Sequence, residues 1–445
     1  MLSREALDKA TQLEPLFPPA YRLAISRLGE RGDLDTAARD RAAQALIDRA
    51  KRLGPPGFAL ELEALRFATK QLIVEAIAAY EESFTVRSPS PEPAMNYASQ
   101  LEKQGNQAKF EQTLGRLIRD YPTYGPAYLS LILHHRKAGG SAQAALNTLQ
   151  RWRAADPSST TARLVEAQLM ANAGQTRDML RRLTDLINEN PQDAAVVSDA
   201  ADTLRAAKQT QALAQTLEEQ LTRNPKNVLL AVELIQTYRE INRADDAVRI
   251  VEKVRTAAEG DSRMMYLVAT LYGAVNQKEK SRNALAESLR LDPTDAVTNN
   301  DLGYTWAEEG INLDRAEAMT RRAVEAEPDN GSFLDSLGWV LYKRGEFDEA
   351  RRHLERALAV GDDASMPVVL DHLGDTLYRL NDSAAAQAQW QKSLERLVLT
   401  PNRVDTEALR PVLEGKIRQA QMGEPVKVSP VSIEPRSASP SQAKN

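Results

Sequence analysis

The chain has 445 residues, no cysteine, a net charge of −5 and 5% aromatic residues. The absence of cysteine excludes disulfides, thiolate nucleophiles and Cys-type zinc or iron–sulfur sites. The mildly acidic balance argues against a nucleic-acid partner, which selects a basic surface. Ala, Leu, Glu, Gln and Arg dominate, which favours an all-α fold, and no apolar run approaches the roughly 18 residues that span a bilayer.

The N-terminal stretch MLSREALDKATQLEP is charged throughout and lacks the apolar core of a signal peptide. Leu7 and Ala10 share one helical face ahead of Pro15. Residues 1–17 are therefore expected to be the second helix of a hairpin whose first helix lies upstream of Met1, so that the chain starts inside an array. Hairpins then follow one another from residue 18 to 399, about eleven in all. Pro18–Pro56 is lengthened, and Gly57–Ser90 returns to a shorter period with Ala64 and Ala76 where helices cross closely. Terminal prolines recur at Pro122, Pro157, Pro191, Pro225, Pro293 and Pro328, with separations of 35, 34, 34, 68 and 35 residues. The double-length gap is one repeat without its proline. A proline ends a helix because it cannot continue the hydrogen-bond ladder.

The clearest repeats come last. NNDLGYTWAEEG, LDSLGWVLYKRGEFDEARRHLERAL and LDHLGDTLYRLNDSAAAQAQWQKSL superimpose on their Leu-Gly pairs, with Gly303, Gly338 and Gly374 spaced by 35 and 36 residues and Ala316, Ala350 and Ala386 following. Each hairpin has an apolar stripe too narrow to bury alone, so its neighbours supply the other wall. Small residues such as Ala269 and the three glycines let the paired helices approach, while Leu302, Leu337, Leu354 and Leu373 fill the space between repeats. Residues 400–422 read as a capping helix near Asp405–Gln421, with Glu407, Glu414, Lys416 and Arg418 on a polar outer face and Pro411 kinking or delaying it. Residues 423–445, rich in Pro, Ser, Val, Ala and Lys, read as a disordered tail.

No GxGxxG, GxxxxGK[ST], HExxH or GxSxG motif is present. Of the four histidines, His134 and His135 diverge on a helix, and His353 and His372 fit an exposed structural placement. No catalytic residue, metal site or cofactor follows.

With this period and these Leu-Gly, Tyr, Ala and Pro landmarks, the chain resembles the tetratricopeptide repeat (TPR) family, and its last three repeats resemble those of bacterial TPR adaptors. The resemblance implies a right-handed superhelical solenoid of antiparallel hairpins. It also implies that helix-A positions line a concave groove: Asn300 and Tyr304, then Asp335, Trp339 and Tyr342, then Asp371, Asp375 and Tyr378. Aromatic rings beside carboxylates suit a protein or peptide with apolar anchors and a basic or amide group. Packing of Trp339 and Tyr342 between hairpins is the competing account. The three aspartates stand where a carboxylate clamp needs cations, which disfavours a C-terminal-tail ligand. The expected function is a non-enzymatic scaffold; the alternative is the interaction array of a larger enzyme whose catalytic domain lies upstream of Met1. Several members of the resembling group are exported and hold proteases or envelope enzymes together. That implies an envelope partner if an upstream signal exists and a cytoplasmic location if none does. A Trp339→Ala, Tyr304→Ala double variant is expected to lose partner capture with melting unchanged.

Overall fold

A computed structural model describes residues 17–28, 35–87, 89–137, 141–361, 366–399 and 404–431. The regular structure of these residues is entirely α-helical. None of the helices is long and apolar enough to cross a membrane. The expected half-repeat at residues 1–17 lies, but for Phe17, outside the described residues.

The chain divides into two compact units, Met1–Gln209 and Thr210–Asn445. The first holds α1 (Pro18–Leu28), α2 (Thr36–Leu53), α3 (Phe58–Thr69), α4 (Ile73–Val86), α5 (Pro91–Gln104), α6 (Gln107–Asp120), α7 (Gly125–Arg136), α8 (Ala142–Ala155), α9 (Thr160–Asn172), α10 (Thr176–Glu189) and α11 (Ala194–Ala206). Consecutive helices pair, and α1, α3, α7 and α9 each also meet the next odd-numbered helix. Its core runs through Tyr80, Tyr97, Leu101, Phe110, Leu114, Tyr128 and Trp152, all buried.

The second unit holds α12 (Thr210–Arg223), α13 (Val228–Glu240), α14 (Ala244–Ala257), α15 (Ser262–Ala274), α16 (Lys278–Leu291), α17 (Ala296–Glu309), α18 (Leu313–Ala326), α19 (Gly331–Lys343), α20 (Phe347–Val360), α21 (Met366–Arg379), α22 (Ser383–Leu399) and α23 (Val404–Gln421). The hairpins α15–α16, α17–α18, α19–α20 and α21–α22 pack most extensively, and α17, α19 and α21 stand side by side.

The punctuation follows from local chemistry. Two residues after Pro191, Pro225 and Pro293 comes a side chain that caps the next helix. Asp193 accepts from Val196 N at 3.1 Å, Asn227 from Leu230 N at 3.2 Å and Asp295 from Thr298 N at 2.6 Å. Each cap satisfies an amide that has no partner within its own helix. Turns inside hairpins are closed by left-handed residues, Gly105, Gly174 and Gly345 in some, and Asn242, Asn276 and Asn381 in others. Glycine and asparagine enter that region at the lowest steric cost.

Close helix approach is measurable at the repeated glycines. A Cβ at Gly374 would lie 2.4 Å from Trp390 Nε1, and one at Gly338 would lie 2.7 Å from Leu354 Cγ. Ala64, Ala76 and Leu354 are completely buried, and Ala269, Leu302 and Leu337 nearly so. Helix α23 spans Val404–Gln421 with Pro411 inside it. Its Leu413 and Ile417 are buried. Lys416, expected on the outer polar face, is instead buried at 4% exposure. Glu414 and Arg418 do face outward, and the Glu407 side chain lies outside the described residues.

Candidate protein-binding groove

Six of the eight expected groove residues stand on α19 and α21, and α23 packs against α22 and α21. Trp339 and Tyr342 are three residues apart on α19, so their rings fall on one face and stack at 4.8 Å with an interplanar angle of 4°. On its other side Trp339 meets the His372 ring of α21 at 3.9 Å. Its indole N–H donates to Glu308 at 2.5 Å, and Lys343 lies 5.0 Å from the ring centroid. This aromatic floor is buried: Trp339 is 3% and Tyr342 0% exposed.

His372, expected at an exposed position, is also buried. Its Nδ1 lies 2.9 Å from Asp335 Oδ1. Burial would push the imidazole down, but the Asp335 carboxylate, backed by Asp371 and Asp375, outweighs it and holds His372 above its ordinary value.

The other two aspartates are satisfied from within the chain. Lys416 of α23 reaches across with its Nζ 2.7 Å from Asp371 Oδ1 and 2.5 Å from Asp375 Oδ1. Trp390 Nε1 also donates to Asp375 Oδ1 at 3.2 Å. Burial raises the Asp371 carboxyl above its usual range, although Lys416 pulls the other way. The chain thus supplies its own cation to these two carboxylates.

The segment after α23 is the main departure from expectation. Residues 423–445 read as a disordered tail, yet 424–431 are placed in the groove without helical structure, and 432–445 lie outside the described residues. Gly423 turns the chain back with a left-handed φ of 69°. Val426 N then donates to the Tyr378 hydroxyl at 2.9 Å, and Ser429 N donates to Asp375 Oδ2 at 3.0 Å. The Ser429 carbonyl accepts from Arg379 Nη2 at 3.0 Å and from the Tyr342 hydroxyl. Burial pushes that hydroxyl up to about 12, so it remains a neutral donor. Lys427 N donates to Gln419 Oε1 at 2.9 Å. Val426 is buried in the cluster of Leu373, Leu377, Trp390, Leu413 and Ile417, with Val428 packed against it.

Six of the expected groove residues therefore join one network: Asp335, Trp339, Tyr342, Asp371, Asp375 and Tyr378. The other two stand on α17, where Asn300 is buried and donates to Asp301 Oδ1 at 3.1 Å and Tyr304 is half-buried. Arg379, Lys416, Gln419 and the 424–431 segment were missed. Two signals could have found them: Lys416 sits between Leu413 and Ile417 on an apolar helical face, and Val426 and Val428 alternate as in an extended strand.

The tetratricopeptide-repeat family model matches residues 332–363, the hairpin of α19 and α20. The chain is similar to the TPR repeat-containing protein PA4667 of Pseudomonas aeruginosa, 26% identical over a match covering 38% of this chain and 35% of that protein. It is also similar to the human protein O-mannosyl-transferase TMTC1, 23% identical over 34% of this chain and 17% of that protein. The matches thus span about a third of the first relative's length and less of the second's. Among solved structures, the APC/C hetero-tetramer Cut9–Hcn1 is similar over 92% of this chain and 86% of that one, at 12% identity and a TM-score of 0.36. The matched hairpin carries the tetratricopeptide-repeat motif, and paired helices like it recur through both units, so the chain is similar to tetratricopeptide-repeat proteins.

Proposed function

We propose that this chain is a non-enzymatic adaptor that holds an extended segment of a protein partner in the groove of α19, α21 and α23. One observation carries the reading. The groove side chains aim at main-chain atoms, with Tyr378 and Asp375 accepting N–H groups and Tyr342 and Arg379 donating to a carbonyl. Groups arranged to hold a backbone bind an extended chain, and the adjoining apolar socket selects among side chains. This replaces the expected basic anchor with backbone recognition, since Lys416 already neutralises Asp371 and Asp375.

The test is capture of partners by the natural chain and by a Tyr378→Phe, Arg379→Gln variant, with recovered proteins identified by mass spectrometry. Both side chains are only partly buried, so melting should stay close to that of the natural chain while capture falls at least tenfold. Undiminished capture by the variant would sink the groove reading. A second reading, an interaction array belonging to a larger enzyme, has the match to part of the human mannosyltransferase in its favour. A catalytic domain encoded in frame upstream of Met1 would establish it.

A further inference from the structure

We infer that the segment Pro425–Ser429 is a built-in competitor for the partner site, and that the partner enters as an extended segment of the same chemical pattern by displacing it. This rests on the groove reading and names both the ligand class and its regulation.

The fit of the segment defines that class. It is read at two amides three residues apart, Val426 N at Tyr378 and Ser429 N at Asp375, and at one carbonyl shared by Tyr342 and Arg379. Val426 is buried, Val428 is half-buried, and Lys427 between them is exposed. A matching ligand therefore alternates two small β-branched apolar residues with an unconstrained one and ends on a small residue whose N–H and C=O are both free to bond. No charge on the ligand is required.

The groove also requires an occupant. Asp375 Oδ1 is already held by Lys416 and Trp390, which leaves Oδ2 aimed at the Ser429 amide. If the segment leaves and nothing replaces it, Asp375 Oδ2 loses the Ser429 amide and the Tyr342 hydroxyl loses the carbonyl it donates to, keeping the Arg379 Nε that donates to it at 3.3 Å. Buried polar groups left in that state are disfavoured, so departure of the segment and arrival of a ligand are coupled.

The segment is also placed to act as a competitor. It follows α23 directly through the turn at Gly423, and a short tether gives it an effective concentration on the order of millimolar. If it is docked about 99% of the time, a free ligand binds about 100-fold more weakly than to the open groove. Release needs no rearrangement of the helices.

The probe is a fluorescein-labelled peptide with the sequence of Glu424–Val431, followed by anisotropy against three chains of residues 1–445: natural, Val426→Asp and Ser429→Pro. Val426→Asp places a charge in the apolar socket, and Ser429→Pro removes the amide that Asp375 accepts. Both released chains should bind the peptide at least tenfold more tightly than the natural chain, and their Lys427 bond should become sensitive to trypsin while the helices stay protected. Ser429→Pro leaves the apolar cluster untouched and carries the test alone if Val426→Asp melts early. Equal affinity for all three chains, or no binding to either released chain, overturns the inference. If partner capture remains sensitive to Tyr378 and Arg379 in that event, only displacement has failed. Capture indifferent to those two residues overturns the groove reading itself.

Discussion

At the scale of single residues, the decisive groups are Lys416, His372 and Trp339. Lys416 is the cation within bonding distance of both Asp371 and Asp375, so Lys416→Met leaves two buried carboxylates without it. Breaking a buried pair from one side costs about 3–5 kcal/mol, which chemical denaturation should register; an unchanged midpoint would refute the pairing. His372 has a folded value above 6.5. Its contribution to stability is therefore fully present below pH 6.5 and is lost as pH rises through the folded value. The stability difference between the natural chain and His372→Gln should accordingly shrink as pH rises above about 6.5. The Trp339→Ala, Tyr304→Ala double variant, expected from sequence to leave melting unchanged, should instead lose about 3–5 kcal/mol at Trp339 alone, because that ring is buried and stacks on Tyr342 and His372. Six of the eight expected positions meet in one network because the repeat phase assigns each residue a helical face. Their burial was not. The residues that cover them are distant in sequence: Lys416 is 41 residues from Asp375, and Ser429 is 87 from Tyr342.

At the scale of helices, the sequence carries nearly everything. Caps, terminal prolines and left-handed turn residues act within a few positions of where they stand, so their spacing alone marks each boundary. The glycines show where local information stops. Gly115, inside α6, has open space around a would-be Cβ, so Gly115→Ala should stabilise by about 0.5–1 kcal/mol through helix propensity. Gly374→Ala makes the same propensity gain but drives a methyl into the Trp390 indole, and overpacking of that kind costs about 1–3 kcal/mol. Opposite shifts in two thermal melts are the expected outcome. The Leu-Gly landmark flags Gly374 as a close approach, whereas no such landmark marks Gly115. Lys416 escaped because a lysine on a capping helix defaults to solvent, and that default gave way to two carboxylates on a neighbouring repeat.

At the scale of the molecule, each unit gains its core by stacking hairpins that cannot bury their stripes alone. That periodicity is written into the chain, so the all-α repeat architecture and the face carrying the groove follow from residue spacing. What only tertiary structure decided is what occupies that face. Residues 424–431 have the composition of a disordered tail, and within them Val428 N donates to the Val426 carbonyl at 3.1 Å. Besides Gln419, which accepts from Lys427 N, they are held by Tyr342, Asp375, Tyr378 and Arg379 through bonds that span at least 48 residues of chain. Local sequence thus determined the helices and their phase, because capping, turn geometry and amphipathicity are short-range. The self-occupied groove depends on long-range bonds between groups that bear no sequence signal of one another.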